Sequence, residues 1–387
     1  MDTLQKDEST SDKPSILFVL PATIIGGAET KVFNLLRSLH SFESILITHS
    51  AIVNFFSGLG TRIYTFEDFQ CANPYILSPR SILAYARAIR TVANRENPDV
   101  LLGVMHNGAL FVTVAHDLFL LRAKPVVTIE GNLTAYFKSI DRVPTVKEKL
   151  LITYCFKRAK GIIVPSDGVK ADLIGNYSAA TEKVRTIYNG IDLESLKKSA
   201  GEKIPFQKNC PWIITACRLT SQKDFVTLLK AFRIIRDAAP VKLFILGEGE
   251  LKDDIRRLSC ELKVNDDVII TGFQQNPFPY ISMADVFVLS SFYEGFGNVI
   301  VEAMALGVPV VATDCPSGPK EIIKNGENGF LVPVGDFQEL ADRCSFVLRN
   351  RAARELISLN GLKRAQDFSV HSMGKGFEEC LMKFSGN

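Results

Sequence analysis

The stretch from Val286 to Ala312, VFVLSSFYEGFGNVIVEAMALGVPVVA, decides the fold class. Val286–Leu289 is a short apolar run typical of a buried strand, and Asn298–Leu306 has the pattern of an apolar helix. A loop with two glycines joins them, and a second apolar run, Pro309–Ala312, follows the helix. A strand, a helix and another strand in this order predict a parallel sheet covered by helices.

The same alternation recurs on both sides of this stretch. Further strands are predicted at Ser15–Leu20, Ser44–Thr48, Val100–Met105, Pro125–Ile129, Gly161–Pro165, Trp212–Cys217, Lys242–Leu246 and Asp267–Thr271. Further helices are predicted at Ala28–Leu39, Ser81–Arg95, Val146–Ala159, Asp224–Ala239, Leu251–Leu262, around Pro279–Met283, and at Met373–Phe384. Such a series indicates doubly wound α/β domains, in which ligands bind at the carboxyl ends of the strands.

The alternation of strands and helices is interrupted at residues 184–211, where we place a linker between two tandem Rossmann-like domains that face a cleft. The predicted parts are a disordered tail (1–13), a first domain (14–200), a second domain (201–370) and a C-terminal helix (371–387) that could pack back on the first domain. A chain of 387 residues is too long for one ordinary domain and suits two.

Composition excludes several classes of protein. Hydrophobic residues make up 47% and charged residues 22%, as in globular proteins. The 45 basic and 42 acidic side chains give a net charge of +3, which offers no reason to expect a nucleic-acid partner. The eight cysteines form no C-x-x-C pair, and no Cys/His cluster or D-x-D element predicts a metal site. The polar amino terminus lacks the apolar core of a signal peptide, so we expect a cytoplasmic protein with reduced, buried thiols.

The stretch 138–160 is rich in basic residues, with seven Lys or Arg against two acidic residues. Aromatic and aliphatic side chains alternate with them. This pattern is typical of a solvated helix face, and also of a segment that lies on an anionic membrane. Both interpretations stay open, and the second would put the protein on the inner face of the cytoplasmic membrane. The apolar window Leu101–Leu121 contains two histidines, an asparagine and an aspartate, which favours a buried strand and core helix over a membrane span.

Two loops of the second domain carry charges suited to a ligand. Arg218 and Lys223 follow the strand Trp212–Cys217 and could bind a diphosphate, the first as a planar fork and the second as a point charge. Glu294 and Glu302 lie eight residues apart. Even if both were helical, about 12 Å would separate the carboxylates, so they cannot act on one reacting atom.

The two carboxylates could instead hold the two ends of an extended ligand. Gly297, Asn298 and Val299 start the helix between them, and its backbone N–H groups could bind a phosphate. A ligand with hydroxyls, a diphosphate and further hydroxyls is a nucleotide sugar. Each carboxylate–hydroxyl contact is worth roughly 1.5–3 kcal/mol. In the first domain, Gly26 and Gly27 follow the first strand and would let a ligand approach the backbone, although a plain turn explains them equally well.

Glu294 and Glu302, with the sequence AMALGVPVVA that follows them, resemble the retaining glycosyltransferases of family 4, which have the GT-B fold. The resemblance covers nearly the whole chain after the tail. Gly26 and Gly27 resemble the family's acceptor-side loop, and the loops that contain Gly249 and Phe273 resemble those with which the family holds the nucleotide base. Residues 313–322 and 276–280 resemble a subgroup that builds bacterial polysaccharide, lipopolysaccharide or lipid-linked oligosaccharide.

The resemblance implies roles for these residues. Glu302 would bind the ribose hydroxyls and Glu294 the hydroxyls of the donor sugar, while Arg218 and Lys223 would neutralise the departing diphosphate. The implied reaction moves a hexose or N-acetylhexosamine from a nucleotide sugar, often UDP-linked, to a glycan or lipid-linked saccharide, with no metal or other cofactor.

One position departs from the family pattern. Many relatives have a histidine after the strand that corresponds to Pro125–Ile129, where this chain has Glu130 and Gly131. Glu130 is therefore a candidate polar residue of the site, and His106 could supply the imidazole, although a structural role suits that histidine equally well. Two other functions stay open: a non-catalytic nucleotide-sugar-binding subunit, and a nucleotide-sugar epimerase of the same fold.

Overall fold

The computed structural model describes residues 13–71 and 73–385, so the predicted disordered tail lies, apart from Lys13, outside the described residues. The first sheet has seven strands, in the order β3-β2-β1-β4-β5-β6-β7. They are β1 (Ser15–Leu20), β2 (Glu43–Thr48), β3 (Arg62–Thr65), β4 (Val100–Val104), β5 (Lys124–Thr128), β6 (Gly161–Val164) and β7 (Val184–Thr186). The helices along this half are α1 (Gly27–Ser38), α2 (Ser50–Val53), α3 (Pro79–Glu96), α4 (Met105–Phe119), α5 (Leu133–Ser139), α6 (Val146–Arg158), α7 (Asp167–Tyr177) and α8 (Leu193–Ser199).

The second sheet has six strands, all parallel, in the order β10-β9-β8-β11-β12-β13. They are β8 (Trp212–Ala216), β9 (Lys242–Leu246), β10 (Val268–Gly272), β11 (Val286–Leu289), β12 (Val310–Thr313) and β13 (Phe330–Val332). The helices are α9 (Phe225–Ala238), α10 (Lys252–Glu261), α11 (Phe278–Ser282), α12 (Asn298–Ala305), α13 (Pro319–Ile322), α14 (Phe337–Arg349), α15 (Arg351–Ala365) and α16 (Val370–Ser385). The predicted fold class, two tandem Rossmann-like α/β domains, is confirmed.

The strands of the second sheet are mostly apolar because both faces of the sheet are covered. Successive side chains of a strand point to opposite faces. Ile214 of β8 packs in one hydrophobic cluster with Phe244 and Phe287, whereas its neighbour Ile213 packs in another cluster with Leu243. Each of these side chains is at most 1% exposed, which explains why the strands lack the polar alternation of a half-exposed sheet.

The strand order places a topological switch point between β8 and β11. Val286 of β11 pairs with Ile213 of β8, while β9 pairs with the other edge of β8. From β8 the chain goes to one side of the sheet, and from β11 it goes to the other. The loops that follow these two strands therefore diverge at the carboxyl edge, where this architecture leaves a crevice for ligands.

The chain divides into two compact units. The first holds the described residues up to Ile129 together with 154–163 and 374–385, and the second holds 130–153 and 164–373. Within the first unit, α16 packs beside α1: Glu378 Oε1 accepts a hydrogen bond of 2.7 Å from the backbone N–H of Ser41. The ammonium of Lys31 also lies 5.3 Å from the ring centre of Phe377.

Several details differ from the sequence-based predictions. Residues 184–211 were predicted as a linker but contain β7 and α8. The sequence did not reveal them because a three-residue strand and a seven-residue helix are too short to give a periodic pattern. The edge strands β3 and β13 were also not predicted. Five of the eight cysteines are buried as expected, but Cys260 is exposed.

The window Leu101–Leu121 forms β4 and α4, and no helix of the described residues is long and apolar enough to cross a membrane.

Candidate functional site

The candidate site of the second unit is built from loops at the carboxyl edge of its sheet. Parallel strands bring all their carboxyl ends to the same edge. The loop after β8 carries Arg218 and Lys223, the loop after β9 carries Gly249, the loop after β10 carries Phe273, and the loop after β11 carries Glu294. The fold thus collects at one edge side chains that are far apart in the sequence.

An ion pair joins two of these loops. Lys223 Nζ lies 2.6 Å from Glu294 Oε1, and the two side chains are 13% and 10% exposed. Ser291 Oγ donates a second hydrogen bond, of 2.6 Å, to the same carboxylate oxygen. The amide of Gln222 donates to the carbonyl of Tyr293 at 2.7 Å, so backbone and side chains both connect the loops. The structure therefore brings together Lys223 and Glu294, which were predicted to bind the diphosphate and the donor sugar respectively.

The pairing fixes the charge state of Lys223. Burial, the largest single effect, lowers the pKa of this ammonium, but the negative charge of Glu294, the nearby Cys217 and the hydrogen bond to Glu294 together hold the pKa of Lys223 above its ordinary value. Arg218 lies near enough to oppose this effect, and its own side chain is exposed. Both Oε1 contacts leave the second oxygen of Glu294 without a donor in the described part of the chain, so it is free to accept from a ligand hydroxyl.

Glycines let the loops approach one another through their backbones. A Cβ on Gly249 would lie 2.4 Å from the carbonyl oxygen of Leu219, so only glycine fits at this position. Gly249 thus has a packing role whether or not it contacts a ligand. Phe273, at the end of β10, is 73% exposed and offers a free aromatic face beside the same edge.

The start of α12 forms the next part of the site. Gly297 has φ +95°, a conformation that favours glycine, and the helix begins at Asn298. Asn298 Oδ1 accepts a hydrogen bond of 3.0 Å from the side-chain amide nitrogen of Asn189. The side-chain oxygen Oδ1 of Asn189 is buried without a partner in the described residues. Val299 is half-buried behind it. The first backbone N–H groups of α12 are the ones that a helix leaves without internal partners.

Glu302 lies one turn into α12, on the same face as Asn298 by the spacing of four residues. It is half-buried in the helix, and burial raises the pKa of its carboxyl group to about 7. A buried carboxylate is costly to ionise because it has lost its hydration. Hydrogen bonds donated by ligand hydroxyls replace that hydration and so stabilise the ionised form.

The loop after β5 belongs to the second unit and abuts Glu294. A Cβ on Gly295 would lie 1.9 Å from the carbonyl oxygen of Glu130, and the carbonyl of Gly295 accepts a hydrogen bond of 2.6 Å from Ser166 Oγ. The backbone of Glu130 therefore lies against the residue that follows Glu294, and its side chain is half-buried. Asn132 continues the contact by donating to Ser317 Oγ at 3.1 Å.

The remaining candidates lie in the first unit. Gly26 N–H donates at 2.8 Å to Glu29, a buried side chain that caps the start of α1, and Gly27 is the first residue of that helix. His106 is the second residue of α4 and is exposed, while neighbouring protein lowers the pKa of its imidazole by desolvation. It follows Met105, whose φ of +62° is rare for a residue with a side chain and marks a constrained turn.

Sequence reasoning missed three polar residues of the site. Ser291 carries a weak signal, since it precedes Glu294 by three residues. Asn189 lies in the segment that was interpreted as a linker, and Ser166 caps α7 by accepting from Val169 N–H. Among the described residues, no group of His, Cys, Asp and Glu has the arrangement of a metal site.

Comparison with known proteins identifies the family of the chain. Two family models match the chain: Glycosyltransferase Family 4 at residues 25–195 and Glycosyl transferases group 1 at residues 197–364. The lipopolysaccharide core biosynthesis glycosyltransferase LpsE of Rhizobium meliloti is 33% identical over 273 residues, which is 70% of this chain and 72% of that protein. The chain belongs to the family 4 and group 1 glycosyltransferases.

A second relative in this family is a Campylobacter jejuni enzyme, N-acetylgalactosamine-N,N'-diacetylbacillosaminyl-diphospho-undecaprenol 4-alpha-N-acetylgalactosaminyltransferase. It is 33% identical over 235 residues, and the match covers 58% of this chain and 63% of the relative, less than two thirds of its length. Two solved structures share the GT-B fold. The Anabaena protein HepE with UDP and glucose has a TM-score of 0.78 at 20% identity, covering 96% of this chain and 100% of that one. The sucrose-phosphate synthase of Thermosynechococcus elongatus has a TM-score of 0.81 at 19% identity, covering 96% and 99%.

The buried ion pair gives a first testable prediction. Lys223→Met leaves the Glu294 carboxylate buried without a counter-ion, and we expect the free energy of unfolding to fall by about 3 kcal/mol or more. Adding Glu294→Gln should restore most of this loss, because the charge is then gone. Trp212, the single tryptophan, is buried in β8, so its fluorescence during urea unfolding reports on the second unit.

The matched control is Lys252→Met, which breaks the more exposed pair with Glu248, where Nζ lies 2.8 Å from Oε1. We expect that variant to lose less than about 1 kcal/mol. Equal losses in the two lysine variants would contradict a special role for the Lys223–Glu294 pair.

A second prediction follows from Glu302. Between the ordinary carboxyl pKa and about 7, the folded protein keeps a proton that the unfolded chain has released, so the free energy of unfolding falls as pH rises. Glu302→Gln removes the free-energy cost of ionising a buried carboxyl group. At pH 8 the ligand-free variant should be more stable than wild type by about 1–3 kcal/mol, with the difference shrinking towards pH 5. Urea unfolding followed by Trp212 fluorescence at several pH values measures this, and a difference independent of pH would disprove it.

Proposed function

We propose that the protein is a retaining glycosyltransferase that moves a hexose or N-acetylhexosamine from a nucleotide sugar to a glycan or lipid-linked saccharide. The observation that carries the proposal is the Lys223–Glu294 pair at the switch point of the second sheet, beside the start of α12. A cation, a carboxylate and a helix start are the groups that we expect a sugar joined to a diphosphate to require.

Each part of the donor has a proposed partner. Glu302 accepts from the ribose hydroxyls, and the free oxygen of Glu294 accepts from the sugar. Arg218, which is exposed, meets the diphosphate together with Lys223 and the first N–H groups of α12. Phe273 and the backbone at Gly249 are proposed to hold the base. Arginine, lysine and a helix start supply the positive charge that other sites take from a metal ion, so we propose that no metal or other cofactor is required.

In the proposed reaction, the bond between C1 of the donor sugar and the phosphate oxygen breaks, and its electrons leave with the nucleoside diphosphate. An acceptor hydroxyl oxygen forms the new bond to C1 from the same face, and its proton passes to the departing phosphate oxygen. The protein contributes by orienting both reactants and by stabilising the charge that develops on the diphosphate. Glu130, beside Gly295, is the candidate contact for the acceptor.

The substrates are proposed from the relatives. The name of the Campylobacter enzyme describes transfer of N-acetylgalactosamine to a diphospho-undecaprenol-linked saccharide, and a third relative, CapM of Staphylococcus aureus, is named for capsular polysaccharide biosynthesis. A lipid-linked acceptor is therefore the class to test first. UDP is the nucleotide we propose, by analogy of fold with the Anabaena complex.

The test incubates the full chain with UDP-, GDP-, ADP- and dTDP-linked sugars and measures released nucleotide and the anomer of the released sugar. We expect slow hydrolysis of one donor, with the sugar first appearing in the anomeric form that the donor had. Inversion would contradict the retaining mechanism. Tight donor binding with no turnover, even with lipid extract added, would favour the non-catalytic binding subunit, and conversion of the donor to an epimer would favour an epimerase.

Two variants separate the proposed roles of the glutamates. Glu302→Ala should weaken UDP binding by about 10- to 100-fold, the loss expected for hydrogen bonds to a charged group. Glu294→Gln should lower turnover by about 100-fold while changing UDP affinity by less than about 5-fold, because its partner is the sugar. Titration calorimetry with UDP and the hydrolysis assay give the two readouts, with Glu355→Gln, an exposed glutamate on α15, as control. Equal loss of UDP affinity in both site variants would disprove the division.

A further inference from the structure

The segment from Tyr136 to Leu150 presents an unusual surface. It contains the end of α5, a turn and the start of α6, all within the second unit. Five large hydrophobic side chains of this segment are exposed: Tyr136 (47%), Ile140 (45%), Val143 (79%), Val146 (78%) and Leu150 (65%). Folding normally buries such side chains, and a continuous exposed group of them indicates an interaction surface.

Basic side chains surround these apolar groups. Lys138, Arg142, Lys147 and Lys149 are all exposed, against Asp141 and Glu148. Glu148 is paired with Arg142, whose Nη2 lies 2.7 Å from Oε1. The surface therefore combines an apolar centre with a positive surround. This is the composition that suits the boundary between the headgroups and acyl chains of an anionic bilayer.

The turn between α5 and α6 is held in a defined shape. Glu148 Oε2 accepts from the backbone N–H of Thr145 at 2.8 Å, while its other oxygen holds Arg142. Asp141 has φ +51°, which reverses the chain direction just before Val143. The most exposed valine thus projects from an ordered turn, and little conformational entropy would be lost on binding.

The structure shortens the part of the basic stretch 138–160 that is available to a membrane. In its second half, Tyr154 donates to Asp117 Oδ2 at 2.8 Å, and Arg158 binds the same carboxylate. Cys155 and Phe156 are buried in the core of the first unit. Those residues are occupied by internal contacts, which leaves Tyr136–Leu150 as the surface available to a partner.

We propose that the Tyr136–Leu150 surface attaches the protein to an anionic phospholipid membrane, with Val143, Val146 and Leu150 entering the headgroup boundary and the basic side chains contacting lipid phosphates. The choice of a membrane rests on charge complementarity and on the apolar centre, which a soluble polyanion would not require. The attachment does not depend on the transfer reaction.

The position of this surface gives it a consequence for the site. Ser139 Oγ hydrogen-bonds Tyr293 Oη at 3.2 Å, and Tyr293 precedes Glu294. At the other end of α5, Asn132 caps the helix by accepting from Ala135 N–H, two residues after Glu130. The membrane surface is therefore continuous with two loops of the candidate site. If the proposed function holds, the attached protein would meet an acceptor whose lipid part stays in the bilayer.

The test is sedimentation of the full chain with vesicles of phosphatidylcholine alone or with about 30 mol% phosphatidylglycerol. We expect binding to the anionic vesicles at least about 10-fold stronger than to the neutral ones, and weaker at high salt. Val143→Asp with Val146→Asp should reduce binding to anionic vesicles by about 10-fold or more. Lys147→Ala with Lys149→Ala should reduce binding to anionic vesicles and weaken its salt dependence.

The matched control is Leu356→Asp with Leu359→Asp, an exposed apolar pair on α15. It should leave vesicle binding unchanged. Trp212 fluorescence during unfolding shows whether each variant is folded, and donor hydrolysis without vesicles reports on the proposed function separately. Recovery of the wild type in the supernatant at low salt would overturn the proposal, as would equal losses in control and test variants. A dimer that the Val143/Val146 substitutions abolish, without vesicle binding, would reassign the surface to self-association.

Discussion

The buried ion pair between Lys223 and Glu294 is the interaction on which the second unit's site depends. Two ions removed from water are costly, and only close geometry with further hydrogen bonds offsets this cost. Here the distance is 2.6 Å, and Ser291 adds a second bond to the same oxygen. The pair draws together the loops after β8 and β11, the two strands at which the chain changes direction across the sheet. It reinforces the hydrogen bonds that also join these loops, from the Gln222 amide to the carbonyl of Tyr293 and from Ser290 Oγ to the carbonyl of Lys223.

The pair also limits how a diphosphate could bind. Of the two cations expected to receive it, Arg218 is exposed, whereas Lys223 is already bound to Glu294. A donor would therefore have to share Lys223 with that carboxylate. The sugar hydroxyls of the donor could compensate by donating hydrogen bonds to the free oxygen of Glu294, so that these bonds offset the weakened ion pair at Oε1. Selectivity for a sugar joined to a diphosphate, over a free nucleotide, would follow from this coupling.

Much of the fold could be predicted from the sequence because buried parallel strands are apolar throughout and their helices are periodic. Glu294 could be placed in a loop because Gly295 and Gly297 interrupt the pattern before α12, and α12 indeed begins at Asn298. The Lys223–Glu294 pair could not be predicted, because 71 residues separate its members and no periodicity links them. Nor could the raised pKa of Glu302, since burial depends on what packs around the helix.

The departure of Gly131 from the family pattern acquires a physical meaning from its surroundings. Other glycines of the site are required by packing: a Cβ on Gly295 would collide with the carbonyl of Glu130, and Gly297 has a positive φ. Gly131 meets neither condition, since a Cβ there would find no atom within 4 Å. The backbone would accept the histidine that the family pattern implies at this position. Its absence therefore leaves open, beside the backbones of Glu130 and Gly295, space that a side chain at this position would otherwise fill.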